Sequence, residues 1–169
     1  NVSDTRKIEE IAFIYNINIE NIEKLNINET LINKIDAIPV SLAMAQAAIE
    51  SGWGTSRFSL EGNALYGQWA WKENAGIKPK EALNSKAVVR SFKNLSQSVK
   101  AYMINLNTHN AYSGMRSKRK RSCANEKLIS GFKLSNWMGN YATTRDEYIK
   151  ILRSVIKGND LKPFDSIIF

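Results

Sequence analysis

Cysteine and histidine are almost missing from this chain: 169 residues contain one of each, Cys123 and His109. A lone cysteine closes no internal disulfide, a lone histidine builds no histidine-based metal cluster, and zinc-type ligand spacing is absent. Chemistry without metal or cofactor is therefore expected. No apolar run approaches the ~20 residues that span a bilayer. The chain has no initiating methionine at Asn1 and no signal segment, which reads as a mature exported protein, of the periplasm or cell envelope, whose targeting segment has been removed.

What is present suits one globular domain with a real core, since 43% of the residues are hydrophobic. The net charge of +8 points to an anionic partner. Nucleic acid, acidic lipid and anionic cell-wall polymer all satisfy that charge equally. The sharpest charge feature is the basic run "RSKRKRS" at 116 to 122. It has neither interleaved aromatics nor a recognisable reading motif, so a solvated loop or helix face is expected there, and nucleic acid is not an expected partner.

Periodicity divides the chain into mostly helical stretches around one β-rich insert. Residues 4 to 36 read as short helices, with Ile8, Ile11, Ala12 and Tyr15 spaced for one apolar face, forming an N-terminal extension packed on the remainder. Ser41, after Pro39, is placed to cap a helix over Leu42 to Glu50 that is apolar nearly all round and hence buried. Residues 62 to 93 mix Gly, Pro and Asn with aromatics, and "KAVVRSF" has strand propensity. Helical spacing returns after Ser96; further helices are expected over about Cys123 to Gly131 and Arg145 to Lys157. This plan is mostly α (α+β), two-lobed, and favours a groove between lobes.

The segment "AQAAIESGWGTSRF", residues 45 to 58, holds the leading candidate for chemistry. Glu50 ends the apolar helix, where the negative end of the helix dipole and the apolar surroundings both oppose its ionisation. A carboxyl kept protonated near neutral pH is a general acid. An ordinary solvated glutamate closing a helix is the competing reading. Trp53, Tyr66, Trp69 and Trp71 follow closely. Aromatic planes pack on the C–H faces of sugar rings, but tryptophans at this density also commonly fill a core.

Residues 38 to 71, "IPVSLAMAQAAIESGWGTSRFSLEGNALYGQWAW", resemble the core motif of bacterial cell-wall β-N-acetylglucosaminidases, glycoside hydrolase family 73, Bax-like branch. The resemblance continues in "VRSFKNLSQSVKAYMINLNTHNAY" (89 to 112) and "NYATTRDEYIKILRSVI" (140 to 156). It implies a lysozyme-like fold and cleavage of the β-1,4 bond after N-acetylglucosamine in peptidoglycan, with glycan strands as partner and no cofactor. It implies Glu50 as catalytic acid, and Asn63, Tyr66, Gly67, Gln68 and Trp69 lining the groove with Trp53 beside them. It also implies a reactive-centre role for Tyr141, for which a buried tyrosine sealing the last helix is the plainer reading. His109 is expected to be a hydrogen-bonded structural residue, Cys123 a buried thiol, and the protein a monomer.

The family's second glutamate, found in a short "TEY"-like context, has no counterpart here. Glu61 follows Glu50 too closely, and Glu73 and Glu81 lie in the right region without the motif. Retaining and inverting glycosidases need a second carboxyl ~5 Å or ~6.5–9.5 Å away, whereas substrate-assisted hydrolysis uses the sugar's own 2-acetamido group. Two other readings remain open: a lytic transglycosylase or muramidase, and a catalytically weak wall-binding module.

Overall fold

The computed structural model describes residues 2–18, 31, 33–80, 86–125 and 128–166. The helices are α1 (Val2–Ile14), α2 (Val40–Ser51), α3 (Arg57–Gly62), α4 (Leu95–Thr108), α5 (Ser113–Asn125), α6 (Gly131–Leu134) and α7 (Asp146–Gly158). Strands β1 (Trp69–Ala70), β2 (Gly76–Ile77) and β3 (Val88–Arg90) form an antiparallel sheet in the order β1-β3-β2. The expected mostly α, α+β class is observed, with the small sheet inside the 62–93 insert.

The near-continuous apolarity of α2 places it in the interior: Leu42, Ala43, Ala45 and Gln46 are buried. It packs against α6, α7 and the C-terminal turn Lys162–Ser166. In α7, Tyr148, Leu152 and Ile156 recur every four residues, so one stripe of the helix enters the core. These groups join Tyr66, Tyr102, Leu106, Met115 and Met138 in the core cluster.

Expectations are corrected at several points. Ser41 does not cap α2. The N-cap position is Pro39, which has no side-chain bond, and Ser41 lies within the first turn. Asp165 does the capping from the far end of the chain: its carboxylate accepts from Ser41 N (2.9 Å), Ser41 Oγ (2.8 Å) and Gly131 N (2.9 Å). A carboxylate there satisfies orphan donors at the positive end of the helix dipole.

The helix expected over 123 to 131 lies earlier, at Ser113–Asn125, and α6 begins where that helix was expected to end. The displacement has a physical cause. The inward face of α5 carries Met115, Arg116, Arg119 and Ser122, all buried, so its face periodicity is written largely in polar residues that an apolar count misses. By the same token the basic run is not wholly a solvated face.

The N-terminal helical reading holds for α1 and for the described residues 31, 33 and 34, where Ile35 N donates to Leu31 O (2.6 Å). Asn16, at φ 52, turns the chain out of helical geometry; residues 19–30 and 32 lie outside those described. Of the expected apolar face, Ala12 is buried while Ile8 and Ile11 remain exposed. Finally, Trp53, Trp69 and Trp71 are not core residues; they are 64%, 57% and 76% exposed.

Candidate active site

The end of α2 sets the position of Glu50. Gly52 takes the left-handed conformation that closes many helices, and its N–H reaches Ala48 O and Ile49 O. Trp53 (φ 59) and Gly54 (φ 80) continue in that region. A left-handed backbone is strained for a residue as bulky as Trp53. Ser51 braces the turn: its Oγ donates to Ala47 O (2.6 Å) and accepts from Gly54 N (2.7 Å). Glu50 is thus presented from a rigid helix end, half-buried.

An open groove of about 520 Å³ passes over it. One wall is β-derived, from Gln68, Trp69 and Arg90, and the opposite wall is helical, from Ala101, Ile104, Asn105 and Thr108 of α4. Tyr66, Gly67, Tyr112 and Tyr141 complete the surface around the carboxyl. Gly67 sits at φ 58, and a Cβ placed there would lie 3.8 Å from Glu50 Oε2. That distance is ordinary van der Waals contact, so it is the left-handed backbone at this position that favours glycine.

Behind Glu50 runs a directional hydrogen-bond chain. Tyr102 donates its hydroxyl to Gln46 Oε1 (2.7 Å), Gln46 Nε2 donates to the Tyr148 hydroxyl oxygen (2.8 Å), and Tyr148 donates to Glu50 Oε1 (2.9 Å). Each amide and hydroxyl hydrogen in the chain points toward Glu50, so Oε1 acts as an acceptor. When the carboxyl is protonated, its hydrogen resides on Oε2, the oxygen near Gly67.

Burial raises the Glu50 pKa above the ordinary glutamate value, and the Tyr148 hydrogen bond partly opposes that rise. The surrounding rings explain the desolvation. Tyr66 stacks on Tyr102 at 3.8 Å, Tyr141 stacks on Tyr148 at 5.7 Å, and Tyr112 lies 6.2 Å from Tyr141. Burial pushes the Tyr66 hydroxyl up to about 12. Tyr141 and Tyr148 are raised further, first by burial and then by the nearby Glu50 charge, so both remain neutral donors.

Tyr141 packs against Tyr148 of the last long helix, donates its hydroxyl to Tyr66 O (3.0 Å), and is one of the residues lining the groove. The structure therefore brings together Glu50, Tyr66, Gly67, Gln68, Trp69 and Tyr141. Two candidates stand outside the groove lining. Trp53 projects from the turn after α2, and Asn63, left-handed at the end of α3, donates through Nδ2 to Phe92 O (3.0 Å).

Among the described residues, Glu50 is the only carboxylate lining the groove. Glu73 is exposed, 3.9 Å from Lys78 Nζ. Glu61 lies 3.8 Å from Arg57 on α3, and Glu81 lies outside the described residues. His109 is an exposed cap: its Nδ1 accepts from Ala111 N (3.2 Å). The side chain of Cys123 is also outside the described set.

Gln46, Tyr102, Tyr148 and Arg90 carry the site without having been singled out from sequence. Gln46 did leave a signal. It is the one amide in an otherwise apolar stretch of a buried helix, and a polar group in such a place needs a partner. Tyr148 left none, because at the head of an amphipathic stripe it reads as core.

No helix among the described residues is long and apolar enough to cross a membrane. Residues 28–161 match the glucosaminidase family, described as mannosyl-glycoprotein endo-beta-N-acetylglucosaminidase. Protein bax of Escherichia coli (strain K12) is 31% identical over 130 residues, which are 77% of this chain and 46% of that protein. The chain thus spans less than half the length of this curated relative. No solved structure matches.

Proposed function

This chain belongs to the glucosaminidase family, and from that premise we propose that it is a peptidoglycan hydrolase cleaving the β-1,4 bond after N-acetylglucosamine, with Glu50 as general acid. The observation that carries the reading is the state of Glu50. It is a desolvated carboxyl lining an open groove, hydrogen-bonded on Oε1 and, among the described residues, without a hydrogen-bond partner on Oε2. Such a group holds its proton to higher pH than an exposed glutamate does, as a general acid requires.

The chemistry follows from one carboxyl. Oε2 gives its proton to the glycosidic oxygen as the bond from the anomeric carbon breaks, and the leaving sugar departs as an alcohol. The carbonyl oxygen of the substrate's 2-acetamido group closes on the anomeric carbon. Water then opens that ring, and Glu50, now a carboxylate, takes the water's proton and is reset. This substrate-assisted route fits a groove with a single described carboxylate better than retaining or inverting routes, which need a second carboxyl ~5 Å or ~6.5–9.5 Å away. Tyr141 orients the acetamido group. Its own hydrogen is committed to Tyr66 O, so its oxygen remains to accept the acetamido N–H.

The reading takes the chain as one exported domain with its N-terminal segment packed on it. The Asn33 and Asp36–Ala37 carbonyls, all accepting from Arg119, support that packing. The deciding experiment digests peptidoglycan with the wild-type protein and with Glu50→Gln, and identifies the new ends by mass spectrometry. Reducing N-acetylglucosamine ends that vanish with Glu50→Gln are expected. Ends of 1,6-anhydromuramic acid would replace this reading with a transglycosylase, and binding without any release would replace it with a wall-binding module.

A further inference from the structure

We propose that Arg90, together with Gln68, forms a subsite for a carboxylate carried by the glycan next to the bond that is cut, so that the protein prefers acidic over neutral β-1,4-linked N-acetylsaccharides. The inference rests on the proposed glycan hydrolysis and deepens it by specifying the substrate's charge.

Strand register places the two side chains together. In the β1–β3 pair Trp69 faces Val89 and Ala70 faces Val88. Continued by one residue, the antiparallel register sets Gln68 opposite Arg90, and Arg90 N donates to Gln68 O (2.7 Å). Residues directly opposite in such a pair project to the same face, with Cβ atoms about 5 Å apart. That face is the groove wall, since both residues line it. On the other side β2 sets Gly76 opposite Arg90, so no side chain shields the guanidinium there.

The guanidinium is available. Arg90 is exposed, lies over the Phe92 ring at 5.0 Å, and makes no salt bridge among the described residues. Phe92 orients the cation without neutralising it. Gln68 Oε1 is buried and, among the described residues, without a hydrogen-bond partner, an unmet acceptor on the same wall as the cation. A sugar substituent offering a carboxylate to Arg90, with an adjoining N–H or O–H for Gln68 once its amide turns into the groove, satisfies both. Arginine suits that task because its planar fork matches a carboxylate's two oxygens.

From Gly67, beside Glu50, one chain step of about 3.8 Å and one strand spacing of about 5 Å lead to Arg90. A group bound there belongs to the sugar adjoining the scissile bond. In peptidoglycan the carboxylate has two sources, the lactyl ether of a muramic sugar or the attached peptide, and the test separates them.

Affinity is measured in the Glu50→Gln background, so that binding is read whether or not cleavage occurs. The ligands are neutral N-acetylglucosamine oligomers, peptide-free glycan strands with free lactyl carboxylates, and peptide-bearing strands. Arg90→Gln is expected to weaken at least one acidic ligand about ten- to a hundredfold while changing the neutral oligomer less than about twofold. The weakened ligand identifies the source. Arg90→Lys should recover only part of the loss, and the preference should shrink with added salt. Equal losses for neutral and acidic ligands, or no loss for either acidic one, overturn the subsite. Failure of cleavage with an intact Arg90-dependent preference would overturn the hydrolase reading and leave this one standing.

Discussion

Glu50 at the end of α2 and Arg119 in the middle of α5 both hold an ionisable group away from water, and they are held in opposite ways. Arg119 is 1% exposed, yet its donors are engaged throughout. Nη1 donates to Asn107 Oδ1 (2.7 Å) and to the carbonyls of Asp36 and Ala37 (both 3.3 Å), Nη2 donates to Asn33 O (3.0 Å), and Nε lies 3.2 Å from the Asp36 carboxylate. Glu50 is less deeply buried but, among the described residues, accepts one hydrogen bond, on one oxygen. The guanidinium ties the segment before α2 to α4 and α5. The carboxyl is left with a free oxygen at a groove. Burial therefore does not distinguish the proposed acid from the structural cation; unmet hydrogen-bonding capacity does.

Replacing each group is the strongest way to break that contrast. Glu50→Gln should lower glycan cleavage by about 10³-fold or more, within the range of a lost general acid, with no loss of folding stability. Release of soluble muropeptides and a thermal melt check the two halves. If Glu50→Gln unfolds at markedly lower temperature, the glutamate is structural and the comparison collapses. Arg119→Met should do the reverse. Stability should fall by about 3–5 kcal/mol, as when one partner of a buried pair is removed. The cleavage rate per folded molecule should stay near wild type. Denaturant unfolding combined with activity scaled to folded protein tests this.

A subtler change sharpens the contrast. Tyr148→Phe removes the hydrogen bond that holds the Glu50 pKa down, so the pKa should rise further. In the proposed mechanism Glu50 acts in its protonated form, so the alkaline limb of kcat/KM should move to higher pH, by an amount set by the loss of one hydrogen bond, about 1 kcal/mol. A profile that shifts to lower pH, or only scales in height, would remove Tyr148 from the acid's control.

The smallest effect concerns stability. Burial raises the folded-state pKa of Glu50 above its unfolded value, so the folded protein binds that proton more tightly. The associated stability is complete below the unfolded pKa of about 4.3 and is lost as pH rises through the folded pKa. Relative to Glu50→Gln, the wild type should therefore match in Tm near pH 4 and fall behind at pH 8. A constant difference across that range would mean that the carboxyl is not desolvated.

Much of the site is local and could be read from spacing. The apolar helix, its glycine ending, Glu50 at its last turn, the left-handed glycine of "LYGQW" and the short strand of "KAVVRSF" depend on neighbours within a few residues, where backbone geometry follows residue type. Other features lay out of reach because burial created them. The inward face of α5 is lined by Arg116, which donates to Leu106 O and His109 O, and by Arg119, which donates to the segment before α2, so its position along the chain was misread. Ser41 was expected to cap its own helix, yet Asp165, 124 residues away, supplies the carboxylate.

The sequence by itself determined that one carboxyl would end an apolar helix beside a tight turn, because helix termination and apolar periodicity are properties of adjacent residues. Only the tertiary structure decided which of that carboxyl's two oxygens is held by a hydrogen bond. That choice comes from Tyr102, Gln46 and Tyr148, residues from three separate helices. Such a hydrogen-bond chain exists only once packing has brought the helices together and taken its inner links out of water.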